Sequence, residues 1–142
     1  MTNVAQTPVT EASGRRRRNR ALAVLGAAGA AALVWAVGEP LLANDLVVVQ
    51  PGQPAQDLGL AAVVTVALGA GLLGWATLAL LERLTRHGTL IWTVIAAIVL
   101  LLSFGPIAGV EATGGTKAVL TVMHAAVAMV LLPMFWQTRN RR

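Results

Sequence analysis

Residues 89–110 read TLIWTVIAAIVLLLSFGPIAGV, an uncharged run long enough to cross the hydrocarbon core of a bilayer, which takes about 20 apolar residues in a helix. Three further segments have the same character apart from Glu39 and His124: residues 21–43, 58–81 and 118–136. Backbone groups in hydrocarbon must be paired within their own segment, and the period-two alternation of a membrane barrel is absent. The sequence therefore predicts an all-α integral membrane protein, an antiparallel four-helix bundle.

The composition supports this prediction. Of the 142 residues, 56% are hydrophobic and 12% charged, and the mean hydropathy is +0.71. Soluble domains carry roughly 25% charged residues, so this chain could not cover its surface in water. Its length allows one domain at most. Because it contains no cysteine, disulfides, thiolate metal sites and cysteine nucleophiles are excluded.

The arginines predict the orientation. The arginines fall in three regions: residues 1–20, the connection between the second and third spans, and residues 137–142. In a chain with four spans, these three regions lie on the same side of the membrane. The opposite side has only Lys117. The positive-inside rule makes the arginine side cytoplasmic, so we expect a multi-pass plasma-membrane protein with both termini in the cytoplasm. The net charge of +5 forms no basic stripe on a folded face, which argues against nucleic-acid binding. The topology determinants are Arg15, Arg16, Arg17, Arg18, Arg20, Arg83, Arg86, Arg139, Arg141 and Arg142.

The first span has a competing interpretation, because four arginines followed by an apolar run also begin a signal peptide. The run is longer than the usual apolar region of about 7–15 residues, so we expect a retained span. Residues 1–20 are expected to form a disordered basic cytoplasmic tail, and residues 137–142 a second basic tail. Between the first two spans, LVVV at 46–49 and QPGQP at 50–54 predict a short hairpin or an extended flap.

Small residues and tryptophans indicate how the spans pack. Glycines lie within the first three spans, and Gly105 and Gly109 have GxxxG spacing, which favours close helix contact within one bundle. Contact between copies is the alternative, and it leaves a homo-oligomer or a membrane-protein partner open. Trp92 and Trp136 lie near cytoplasmic ends and are interpreted as interface anchors. Trp35 and Trp75 are expected to pack within the bundle.

Polar residues inside the spans suggest a candidate site. At 1.5 Å per residue, one or two from each span fall at a similar depth in the outer third. The functional hypothesis is an intramembrane Glu–His site that relays a proton, binds a cation or holds a polar ligand. Alternatively, His124 hydrogen-bonds a neighbouring helix, and Glu39 reaches headgroup water. The candidate residues are Glu39, Thr65, Ser103, Thr121 and His124.

Catalytic signatures are absent: the sequence has no nucleophile elbow, P-loop, HExxH motif or pair of intramembrane aspartates. We therefore expect no enzyme activity, no cofactor and no metal site. The favoured function is a non-enzymatic component of the lipid bilayer that binds a partner, a lipid or another copy of itself. The alternative is a small oligomeric transporter or channel-like protein that uses Glu39 and His124 for proton or cation coupling.

Four segments carry a resemblance to a known family: LVWAVGEPLLANDLVV at 33–48, GWATLALLERLTRHG at 74–88, IWTVIAAIVLLLSFGPI at 91–107 and VMHAAVAMVLLPMFW at 122–136. With the basic start, this pattern resembles a family of small four-span actinobacterial membrane proteins of unknown function. The resemblance extends from about Arg17 to Trp136. It implies a plasma-membrane protein of a high-GC Gram-positive bacterium, and it carries over no catalytic residue.

Overall fold

A computed structural model describes residues 7–138, and it contains the four predicted helices. α1 (Thr7–Ala36) continues into a π-helical turn (Val37–Leu41) and is followed by α2 (Leu60–Leu84), α3 (Gly88–Gly109) and α4 (Gly114–Gln137). Each of the four is long and apolar enough to cross a membrane. The predicted all-α fold and four-helix bundle are confirmed.

Two helix beginnings differ from the predicted spans for local reasons. α4 begins about one turn before residue 118, because Thr113 Oγ1 caps the helix by accepting a hydrogen bond from Thr116 N at 3.1 Å. α1 begins at Thr7, so residues 7–20 are helical where a disordered tail was expected. Extending an existing helix costs far less than nucleating one, and arginine and alanine are good helix formers. Residues 1–6 of that tail and Arg139, Arg141 and Arg142 lie outside the described residues.

The helices form a ring in which α1 and α3 lie on opposite sides, each packed against α2 and α4, while α2 and α4 hardly touch. The buried core has two clusters, which we name by the two ends of the bundle. The outer cluster, at the end that carries the α1–α2 loop, includes Leu46, Val63 and Met123, and the inner cluster, at the end that carries the α2–α3 connection, includes Leu78 and Phe135. Thus the bundle is held mainly through α1, and the contacts of α3 are the weaker ones.

Glycines permit close approach at some of the helix contacts. A Cβ on Gly71 of α2 would lie 3.0 Å from Val24 Cγ1 of α1. At the α2–α3 connection, a Cβ on Gly88 would lie 2.6 Å from backbone atoms of the preceding helix, so only glycine fits that turn. Other glycines have open space around them and do not serve packing within the described chain: Gly29, Gly69, Gly105 and Gly109.

The loop between α1 and α2 covers the outer end of the bundle. Strands β1 (Val47–Val48) and β2 (Gln56–Asp57) pair antiparallel, so the hairpin is the alternative that the structure shows. The buried Thr116 of α4 holds this loop, because its Oγ1 donates to the carbonyl oxygen of Asp45 at 2.9 Å. Leu46 beside it is fully buried in the outer core cluster.

A buried ion pair joins the helices at the inner end. The Arg20 guanidinium donates to Glu82 Oε1 and Oε2 at 2.8 and 2.9 Å, and to Thr138 Oγ1 and its carbonyl oxygen at 3.1 and 3.0 Å. Thr89 Oγ1 of α3 also donates to Glu82 Oε1, at 3.4 Å. We call these four residues, one from each helix or its end, the inner clasp. Glu82 belongs to α2, and its side chain is only 10% exposed.

The inner clasp also relates the two ends of the chain. Arg20 lies on α1 and Thr138 follows α4, so the first and last helices meet at the same end of the bundle. The exposed Arg17, Arg83 and Arg86 lie near that end in sequence. The described arginines are therefore grouped at one end, as four spans require.

Candidate functional site

An elongated cavity of about 650 Å³ lies between α2, α3 and α4, with Ala31 of α1 contributing one wall. It opens to the outward surface of the bundle at Val66 and Leu73, which are 70% and 71% exposed. Its origin is the small side chains that line it on the facing helices, among them Ala67 and Ala70 of α2, Ala96 of α3 and Ala128 of α4. They leave space at the centre where α2 and α4 hardly touch. The volume lies within the range of roughly 300–1,000 Å³ that is typical of ligand pockets.

The cavity follows the bundle axis. On α2 its wall extends from Ala62 to Thr77, which corresponds to roughly 22 Å at 1.5 Å per residue. Leu58 lines it towards the outer end, and Trp92 of α3 lines it towards the inner end. A space this long and narrow fits an extended hydrocarbon chain better than a compact polar molecule.

The lining is almost entirely apolar. Among residues 12–138, whose side chains the structure describes, no Asp, Glu, Lys or Arg side chain lines the cavity. Two of the few polar groups are engaged within the protein: Trp92 Nε1 donates to the carbonyl oxygen of Gly74 at 2.8 Å, and Thr77 Oγ1 donates to that of Leu73 at 2.8 Å. A bound molecule therefore meets mainly hydrocarbon along the cavity wall.

Ser103 and His124 are the polar residues that line the outer part of the cavity. Ser103 Oγ donates to the carbonyl oxygen of Leu100 at 2.6 Å. His124 Nδ1 lies 2.8 Å from the carbonyl oxygen of Leu120, and the imidazole centroid lies 6.4 Å from that of Phe104. Both side chains thus bond to their own helix and leave further hydrogen-bonding capacity towards the cavity.

The remaining residues of the predicted polar layer lie elsewhere. Thr65 and Thr121 face outward, and each hydroxyl donates to a carbonyl oxygen of its own helix, at 2.7 and 2.8 Å. Neither lines the cavity. The structure therefore brings together Ser103 and His124 of the five candidates.

Glu39 lies in the π-helical turn and does not line the cavity that contains His124. Its Oε2 is buried without a hydrogen-bond partner among the described residues, and its electrostatic neighbours are Asp45 and Asp57. Within residues 12–138, no group of three or more His, Cys, Asp or Glu side chains is arranged to hold a metal ion. Glu39 and His124 thus belong to two separate places.

Trp92 is a cavity residue that sequence reasoning assigned differently. It is 5% exposed, and its ring centroid lies 5.1 Å from that of Phe135, so its interpretation as an interface anchor is wrong. Its indole is held instead by the carbonyl oxygen of Gly74, at a position where even a Cβ would lie within ordinary contact distance of the ring, 3.6 Å from Cζ2. Trp136 is 39% exposed, and Trp35 donates from Nε1 to the carbonyl oxygen of Leu58 at 2.9 Å.

Comparison with known proteins identifies a family. DUF6069, described as a family of unknown function, matches residues 11–141. None of the curated proteins and none of the solved structures matches the chain.

Proposed function

This chain belongs to the DUF6069 family, and we propose that it is a non-enzymatic membrane protein whose helix bundle holds the hydrocarbon chain of a lipid. The observation that carries the proposal is the 650 Å³ cavity with its long, apolar lining. An empty space of this size deprives the surrounding side chains of dispersion contacts, and an inserted chain restores them. In a bilayer, the molecules at hand to fill it are lipids.

The polar groups favour binding over catalysis. Ser103, which lines the cavity together with His124, donates its hydroxyl proton to the carbonyl oxygen of Leu100 and not to a base. Nucleophilic catalysis requires an activating base within hydrogen-bond reach of the nucleophile. We propose no catalytic role for these residues.

The arrangement also favours lipid binding over proton or cation coupling. A relay through Glu39 and His124 requires the two groups to approach one another or to share a water-accessible path. Glu39 lies outside the cavity, in the turn covered by the outer loop, and His124 lies along an apolar wall. Hydrocarbon along that wall is a poor environment for an ion.

We propose that the arginine-rich end faces the cytoplasm of an actinobacterial cell. In support, Arg15, Arg17 and Arg18 are exposed on the inner extension of α1, and Arg83 and Arg86 are exposed at the α2–α3 connection. Anionic headgroups of the inner leaflet attract such residues. His124 and Ser103 then lie in the outer half of the bilayer.

We expect gently purified protein to retain one lipid per chain after detergent washing. A chain held between α2, α3 and α4 makes more contacts with the protein than a lipid on an outward face does, so we expect detergent to replace it more slowly. Native mass spectrometry of the washed protein measures the stoichiometry. Protein that carries no lipid, or a variable number without a preferred stoichiometry, contradicts the proposed function.

A further inference from the structure

The tautomer of the neutral His124 ring follows from its hydrogen-bond partner. The carbonyl oxygen of Leu120 only accepts hydrogen bonds, so Nδ1 at 2.8 Å must carry the proton. In the neutral ring, Nε2 is then an acceptor with a free lone pair. Within residues 7–138, Nε2 has no hydrogen-bond partner, and the ring lines the cavity.

Ser103 presents the same kind of group. Its only hydroxyl proton is donated to the carbonyl oxygen of Leu100, so its oxygen offers lone pairs to the cavity. The outer part of the cavity therefore provides two hydrogen-bond acceptors, His124 Nε2 and Ser103 Oγ. Neither has a proton free to donate.

Because both groups are hydrogen-bond acceptors, they favour a ligand that donates a hydrogen bond. An ionised carboxylate or phosphate presents only acceptors, and its charge would be unpaired in a wall without a cationic side chain. An ammonium group would meet no carboxylate there. A neutral hydroxyl group donates its one hydrogen bond to either acceptor without the cost of burying a charge.

The depth of the acceptors agrees with a small polar group. His124 lies ten residues after Gly114, the first residue of α4, which places it roughly 15 Å along the helix from its outer end. A large charged headgroup at that depth would be costly. The apolar remainder of the cavity extends from there towards Trp92 at the inner end.

We infer, on the basis of the proposed function, that the ligand is a neutral lipid with a free hydroxyl, of the long-chain alcohol or diacylglycerol class. The single proton of that hydroxyl is donated to His124 Nε2 or to Ser103 Oγ. The hydrocarbon chain fills the cavity towards Trp92.

The test compares a brominated long-chain alcohol with its methyl ether, which has the same chain but no donor. Binding to delipidated protein in detergent is followed by quenching of Trp92 in a chain with the other three tryptophans replaced by phenylalanine. We expect protein with the wild-type cavity residues to bind the alcohol about 3- to 10-fold more tightly than the ether, because one net hydrogen bond has an effect of this size. His124→Phe, which keeps a ring but removes the acceptor, should bring the ratio close to one without weakening the ether.

Ser103→Ala should lower the preference for the alcohol over the ether in part. This variant provides the test if His124→Phe fails to fold. The matched control is Thr121→Val, one turn from His124 but facing outward, which should leave the preference unchanged. Equal binding of alcohol and ether by the wild-type site overturns the inference while the proposed function stands. Failure of both to bind overturns the proposed function. A preference that survives both substitutions contradicts the assignment to these residues.

Discussion

Replacement of Arg20 by methionine should lower the free energy of unfolding by about 3–5 kcal/mol, the usual cost of removing one partner of a buried ion pair. The Arg20 and Glu82 side chains are 4% and 10% exposed, so the carboxylate would be left largely desolvated and without its counterion. The Thr138 carbonyl would lose its guanidinium donor as well. Denaturation of the purified protein in mixed micelles, followed by circular dichroism, measures the change.

Two variants show whether the loss comes from the inner clasp. Arg17→Met removes an exposed arginine three residues earlier on α1, and we expect a change within about 0.5 kcal/mol. Arg20→Met combined with Glu82→Met removes both charges and should recover most of the stability, since apolar replacement of a buried pair is often neutral. A single Arg20 variant as stable as the Arg17 variant would show that the clasp does not hold the helices.

Ala70→Phe should abolish lipid retention, with at least a 10-fold drop in the fraction of protein that keeps its lipid. Ala70 lines the cavity and is exposed to it, so an aromatic ring there can occupy the space of the hydrocarbon chain. Because filling a cavity restores packing contacts, the variant should unfold no earlier than delipidated wild-type protein. Native mass spectrometry and thermal unfolding of the same preparations give the two readouts.

The matched control is Ala76→Phe, on the same helix and also exposed, but outside the cavity lining. It adds the same ring to the outward face and should leave lipid retention unchanged. If both variants lose the lipid, the effect belongs to α2 as a whole. If neither does, the retained lipid lies on the outward surface.

The four helices were predictable because the solvent imposes them: hydrocarbon requires long apolar segments with internally paired backbones. The inner clasp was not, because Arg20 and Glu82 are distant in sequence and nothing local to either one marks the contact. The available signal was the position of Glu82, an acidic residue in a connection otherwise supplied with arginines. An isolated carboxylate in such surroundings is a candidate for pairing.

The sequence could predict the depth of the candidate site residues in the membrane, but not the direction in which their side chains point. The rise of 1.5 Å per residue places Thr121 and Ser103 at comparable levels. Which way a side chain points depends on the rotation of each helix, and packing sets that rotation. Thr121 therefore faces outward while His124 lines the cavity, although both lie on α4. The cavity itself arises from several small residues on different helices, and no single stretch of sequence encodes it.

Quenching of Trp92 by lipids with brominated chains, a phospholipid and a long-chain alcohol tested separately in reconstituted vesicles, tests most directly whether a hydrocarbon chain enters the bundle. Trp92 is 5% exposed and lines the cavity, whereas Trp136 is 39% exposed on the outward surface. In protein that retains Trp92 alone, a chain inside the cavity should quench its emission, and Ala70→Phe should protect it while Ala76→Phe does not. Emission from Trp92 that stays unquenched under conditions that quench protein retaining Trp136 alone would contradict a lipid-binding cavity.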